Sequence, residues 1–289
     1  MKAKPFARLL LCLALLLPAG VLARPALWVV KHADTTIYLF GTVHLLPHDT
    51  SWRYPALEQA LAKSQTLYIE LTDDDQATVS ALVLRYGLDP AHPLGSLLDA
   101  AQLRQVQRAV AQAGVPGGMQ AVGMMRPWLA ALTLTTAPLL KAGLDPQQGV
   151  DRQLQAQMLA AGKPVLGLET ADQQIHLLAD MPDTLQLKFL QATLKDADKD
   201  GSELTGLIDA WKDGDTGRIA RIEAEDLRQQ APALYQRLLV QRNRTWAARI
   251  AAMLQQPGTT FIAVGAAHLA GPDSVQAQLR QLGIAVVRQ

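Results

Sequence analysis

The sequence predicts an α/β fold with an α+β-like chain order. Strands from both ends of the chain build a central mixed sheet, and a large helical insertion lies between them. Three observations lead there. Short apolar runs of β-favouring residues cluster in residues 24–75 and 255–289, with one more at 164–169. The stretches 76–162 and 170–254 carry helical spacing instead, punctuated by proline and glycine. Two of the strands also end alike: Phe40-Gly41-Thr42-Val43-His44 is echoed by Val264-Gly265-Ala266-Ala267-His268. In each, Gly permits a tight turn at the strand end and His follows three residues later.

In chain order, Lys2, Lys4 and Arg8 precede the apolar run Leu9 to Leu17, and Val21-Leu22-Ala23 supplies small or apolar residues before a cut. Residues 1–23 therefore read as a secretory signal peptide cleaved after Ala23, and the run is too short for a comfortable membrane span. The protein is expected to be exported, to a periplasm or the extracellular medium, with no transmembrane span in its mature chain. Cys12, the one cysteine among 289 residues, lies inside that leader. The mature chain then has no disulfide and no cysteine metal ligand. Net charge is +1 with scattered basic residues, so nothing suggests a nucleic-acid partner and none is expected. With 49% apolar residues, residues 24–289 suffice for one large domain.

Ala26 to Lys31 reads as a strand, His32-Ala33-Asp34 as a turn, and Thr35 to Gly41 as the returning hairpin partner. Pro55 to Leu61 spaces its apolar residues as a short helix. Gln65 to Leu71 is the next strand, with Glu70 near its C-terminal end. Ser96 is the candidate N-cap of a helix over Leu97 to Ala113. Met119 to Leu140 is a buried helix or pair, interrupted near Pro127 or Pro138, and Gly149-Val150-Asp151 opens another helix. Val165 to Thr170 is a strand carrying Glu169, followed by a helix over Ala171 to Met181. Thr184 to Gln255 is helical around an acidic, polar loop at Asp196 to Glu203. The chain then closes with strands at Thr259 to Val264 and Ile284 to Val287 around a helix over Asp273 to Leu282.

Four polar residues share one placement. His44, Glu70, Glu169 and His268 each sit at or just past the end of an apolar strand. In parallel strands of one sheet they would converge at the edge where open α/β sheets bind ligands. Two imidazoles and a carboxylate suit a divalent metal with an open position, and a further carboxylate suits a general base on metal-bound water. Any one of the four alone is an ordinary polar residue capping a strand. His48 reads as a solvated loop residue and His176 as core or support behind Glu169. Arg242 and Arg244 lie on an amphipathic helix with Leu238, Leu239, Trp246, Ile250 and Met253. Arg242 either faces water or inserts towards the carboxylates, where its planar fork would hold a carbonyl or carboxylate.

The chain resembles the TraB/GumN family, to which the Tiki-like metalloproteases are similar. The pieces that carry the resemblance are Leu27-Trp28 through His44, Ile69-Glu70, Gly149-Val150-Asp151, Gly167-Leu168-Glu169-Thr170 with Gln173, Arg242-Asn243 with Trp246, and Gly265 to Leu269 with Gly271. Thr72 before Asp73 departs from the family pattern, which has an acidic residue close after the first glutamate. The resemblance implies an α/β core with an inserted helical region. For Tiki-like members it also implies metal-dependent peptide cleavage through the paired Gly-x-x-His motifs and a glutamate.

The expectation is therefore a secreted metal-dependent hydrolase acting on a peptide or small polar substrate. His44, Glu70 and His268 would hold a divalent ion (manganese, cobalt or zinc), Glu169 would be the base or a carboxylate supporting the ligands, and Arg242 would stabilise the oxyanion; which of Glu70 and Glu169 is the ligand stays open. The alternative is a non-catalytic protein that sequesters a peptide or signal in the same cleft.

Overall fold

The computed structural model of the protein describes residues 24–197 and 202–289. Six strands form one mixed sheet: β1 (Leu27–His32), β2 (Thr35–Thr42), β3 (Thr66–Ile69), β4 (Val165–Gly167), β5 (Gly258–Gly265) and β6 (Val286–Arg288). Their spatial order is β4-β3-β5-β2-β1-β6. β1 and β2 make the expected antiparallel hairpin, turning at Ala33 with φ 45°, and β6 adds antiparallel to β1. β2, β5, β3 and β4 all run parallel. Parallel neighbours need long crossovers, and the helical stretches supply them.

Alternation along the strands builds two cores. Tyr38, Phe40, Leu67, Phe261 and Ala263 face one side, where Trp52, Trp211 and the helices Pro55–Lys63 and Val150–Ala160 cover them. Trp28, Ile37, Leu39, Ile262 and Val264 face the other, under Trp246 and Ile250 of the helix Gln241–Met253 and Leu279 of the helix Val275–Gln281. The sheet is thus buried on both faces, as all-parallel segments require. A third apolar cluster joins the helices Ala100–Ala113, Pro127–Lys141 and Asp183–Ala197 away from the sheet.

Several boundaries differ from the sequence reading. The cap of the Ala100–Ala113 helix is Asp99, which forms a capping box with Gln102, whereas Ser96 lies in the 3₁₀ turn Leu94–Leu97 and bonds to the Pro93 carbonyl. Asp99 wins because its carboxylate reaches the free N–H groups of Ala101 and Gln102. The apolar stretch breaks before Pro127, which starts its helix, while Pro138 is accommodated inside that helix. Helices run up to Ala197 and resume at Ser202, so residues 198–201 of the expected acidic loop lie outside the described residues. The expected leader, residues 1–23, also lies outside them. Among the described residues no helix is long and apolar enough to cross a membrane.

Candidate active site

Because β2, β5, β3 and β4 are parallel, their C-terminal ends share one edge, and the four strand-end residues arrive there. His44 follows β2, Glu70 follows β3, Glu169 follows β4, and His268 sits in the 3₁₀ turn Ala266–Leu269 after β5. Gly265 marks the meeting point. A Cβ at that position would stand 3.2 Å from Glu70 Oε1, 3.6 Å from His44 Nε2 and 3.7 Å from His268 Cδ2. The Gly265 N–H donates to Glu70 Oε1 at 2.7 Å.

Each histidine is oriented from behind. Nδ1 of His44 pairs with Asp151 at 3.2 Å. Asp151 reaches it because the helix Val150–Ala160 docks its first turn on the strand end: the Val150 N–H donates to the Val43 carbonyl. Gly149 permits that approach, since a side chain there would meet the His44 carbonyl oxygen at 2.6 Å. His268 Nδ1 lies 2.6 Å from Asn243 Oδ1, and Asn243 Nδ2 donates to the Asp273 carbonyl. On its other side, His268 Nε2 faces Arg242 Nη1 at 2.9 Å. A guanidinium only donates, so Nε2 is the acceptor and Nδ1 carries the hydrogen given to Asn243. Both rings are thus held from their Nδ1 side, with His268 Nε2 4.0 Å from Glu70 Oε1 and His44 Nε2 beside Gly265.

Arg242 is inserted and Arg244 is exposed, which resolves the two sequence readings of this helix. Arg242 Nη2 donates to Glu70 Oε2 at 2.6 Å, and Nε donates to Glu169 Oε1 at 3.0 Å and to Oε2 at 3.1 Å. A π-turn over Gln236–Val240 precedes the helix, and the Leu238 carbonyl accepts from Arg242 Nη1 at 3.2 Å. Trp246, one turn on, forms the floor: the Arg242 Cζ lies 4.7 Å from its ring centre and the His268 ring 4.5 Å. Gln174 adds a hydrogen bond to Glu70 Oε2.

The charges respond to this packing. Burial disfavours ionised Glu70, yet the surrounding His268, Arg242 and His44, with the Gly265 N–H, hold it down at about 2. Burial, joined by the Arg242 and His44 cations, outweighs the attraction of Glu70 and lowers His268 to about 3. Desolvation also works against charged His44, but Asp151 and Glu70 outweigh it and raise the ring to about 9. Since 60% of the His44 side chain is exposed, solvent screens much of that effect.

The site opens into a cleft of about 300 Å³, lined among others by Thr42, His44, Glu70, Asp74, Asp151 and Arg152. The residue types, two imidazoles and a carboxylate, are those that hold divalent cations, with His44 Nε2, Glu70 Oε1 and the Cδ2 edge of His268 around the cradle at Gly265. Among the described residues no three histidine or acidic side chains stand together as a ready cage. His48 lies apart, 3.5 Å from Asp145, and His176 pairs with Asp180 at 2.9 Å on its own helix. Asp151, Asn243 and Gln174 were not assigned roles from the sequence. Asp151 and Asn243 sit inside the very motifs that carried the resemblance, and that adjacency was the available signal.

The sequence pattern of the TraB/PrgY/gumN family matches residues 26–288. The chain is 26% identical over 256 residues to the uncharacterized protein YbaP of Escherichia coli (strain K12), covering 89% of this chain and 92% of that one. The same identity and coverage hold for YbaP of Shigella flexneri. An uncharacterized protein of Treponema pallidum (strain Nichols) is 22% identical over 266 residues, covering 86% of this chain and 78% of its own length. No solved structure matches the chain significantly.

Proposed function

The chain belongs to the TraB/PrgY/gumN family, and from that premise we propose that it is an exported, metal-dependent hydrolase that cleaves peptides. The observation that carries this reading is the convergence of His44 Nε2, Glu70 Oε1 and the His268 ring on Gly265. His44 and His268 would hold the ion through Nε2 and Glu70 through its carboxylate, with zinc, manganese and cobalt as the candidates. A divalent ion there supplies Lewis acidity, lowering the pKa of a bound water and polarising a carbonyl. Asp151 and Asn243 keep the two rings in register. Glu169 takes the proton of the attacking water. The Arg242 guanidinium, tethered to Glu169 and the Leu238 carbonyl, faces the charge that builds on the substrate oxygen. The 300 Å³ cleft is at the small end for ligand sites.

Metal analysis of the purified mature protein tests the reading. The wild type is expected to retain a divalent ion and to cleave members of a peptide library in a chelator-sensitive way. The His44→Ala, His268→Ala double variant should retain none and cleave nothing. One observation favours a second reading, a non-catalytic protein that sequesters a peptide or signal: Arg242 is ion-paired with both glutamates as they stand. Peptide binding unchanged by chelator, with no cleavage, would select that reading. For export, the protein recovered outside the cytoplasm is expected to begin at Arg24 by intact mass. A full-length chain confined to the cytoplasm contradicts it.

A further inference from the structure

Arg242 places its outer nitrogens on the atoms that the metal-dependent reading needs. Nη1 takes the lone pair of His268 Nε2, and Nη2 takes Glu70 Oε2. An imidazole nitrogen has one lone pair, so it cannot accept that hydrogen and ligate an ion together. We infer that the Arg242 guanidinium is a resident cation that competes with the metal, and that it must leave His268 and Glu70 before an ion is held. The inference rests on the metal-dependent reading above.

The contacts divide into two sets. Those to His268 and Glu70 are the ones a metal would claim. Those to Glu169, where Nε sits 3.0 and 3.1 Å from the two oxygens, and to the Leu238 carbonyl touch no proposed ligand. The guanidinium can therefore pivot on Glu169, over the Trp246 ring, and release the ligands without leaving the site. With the plug seated, two carboxylates of 12% exposure each share one counter-ion. Removing it leaves buried negative charge uncompensated, which destabilises the metal-free protein. Arg242 thus has opposite effects on the two states: it stabilises the empty site and weakens metal binding.

The test is calorimetric titration of chelator-stripped protein with zinc or manganese alone, alongside thermal unfolding without metal. Arg242→Met is expected to bind the ion about tenfold tighter or more than wild type, the scale of losing competing charge-assisted hydrogen bonds, and to melt at lower temperature when metal-free. Arg152→Met is the control for net charge, because Arg152 lines the cleft with His44 and Glu70 but pairs with Asp74 at 2.6 Å. Its affinity should rise far less. Arg242→Lys keeps the charge, loses the planar fork, and should fall between wild type and Arg242→Met; it also serves if the Met variant fails to fold. An affinity in both Arg242 variants equal to or below wild type, or an equal gain from Arg152→Met, overturns the inference while leaving the metal reading intact. No binding by wild type or any variant overturns the metal reading itself, and the inference with it.

Discussion

Glu169→Gln should lower peptide hydrolysis by about 10²-fold or more, the usual scale for a general base, while the bound metal stays. The amide keeps the shape of the side chain and an oxygen that still accepts from Arg242 Nε, so the guanidinium keeps its tether. It cannot take the proton of water. Glu70→Gln should behave differently. Its carboxylate sits between the two histidines and the Gly265 N–H, and a neutral amide is a poorer ligand for a divalent ion, so metal content itself should fall. Elemental analysis beside a library assay separates the two. Loss of metal from both variants would move Glu169 among the ligands and the base elsewhere. No change in either would leave both glutamates as structural strand ends.

The metal-free protein should also lose stability steeply in mild acid. His268 is held neutral down to about 3, well below the 6.5 of a free imidazole, so the unfolded chain takes up its proton first as pH falls. Stability present above pH 6.5 is lost progressively towards pH 3, on the order of 3–5 kcal/mol in full. Glu70 acts in the same direction lower down, between 4.5 and about 2, because the folded state keeps it ionised. His44 acts oppositely: its raised value contributes stability below pH 6.5 that is lost towards pH 9, and its exposure keeps that contribution small. Urea unfolding in chelator at pH 7.5 and pH 4.5 measures the drop. His268→Gln should flatten it, and an undiminished drop in that variant would mean the acid sensitivity lies elsewhere.

Much of the fold was legible because its signals are local. Apolar runs named the strands, and the hairpin at Ala33 and the carboxylate- or histidine-terminated ends could be read residue by residue. The expected mixed sheet from both chain ends, with helical stretches between, is the sheet observed. The parallel pairing that gathers His44, Glu70, Glu169 and His268 was a condition the sequence could pose but not resolve, since it depends on which strands become neighbours. Other features were invisible for the same reason. Nothing local tells Asp151 to reach back to His44, or Asn243 to choose His268. The π-turn before Arg242 leaves no periodic trace, because one shifted hydrogen bond alters register and not composition. Ser96 failed as a cap because several polar residues nearby satisfied the pattern, and the geometry of Asp99 decided among them.

The pairing of β2 with β5 has a consequence for the order of events in the life of the chain. Thr35 lies opposite Gly258 and Thr42 opposite Gly265, so the centre of the sheet joins the beginning of the folded chain to almost its end. Contacts of such separation form late and slowly, after the loop between them has been closed. A chain of which only the first half has been made holds His44 and Glu70 but has neither Arg242 nor His268 to set against them. The cluster at the sheet edge is therefore assembled only with the last few dozen residues, and a half-made molecule has no such site.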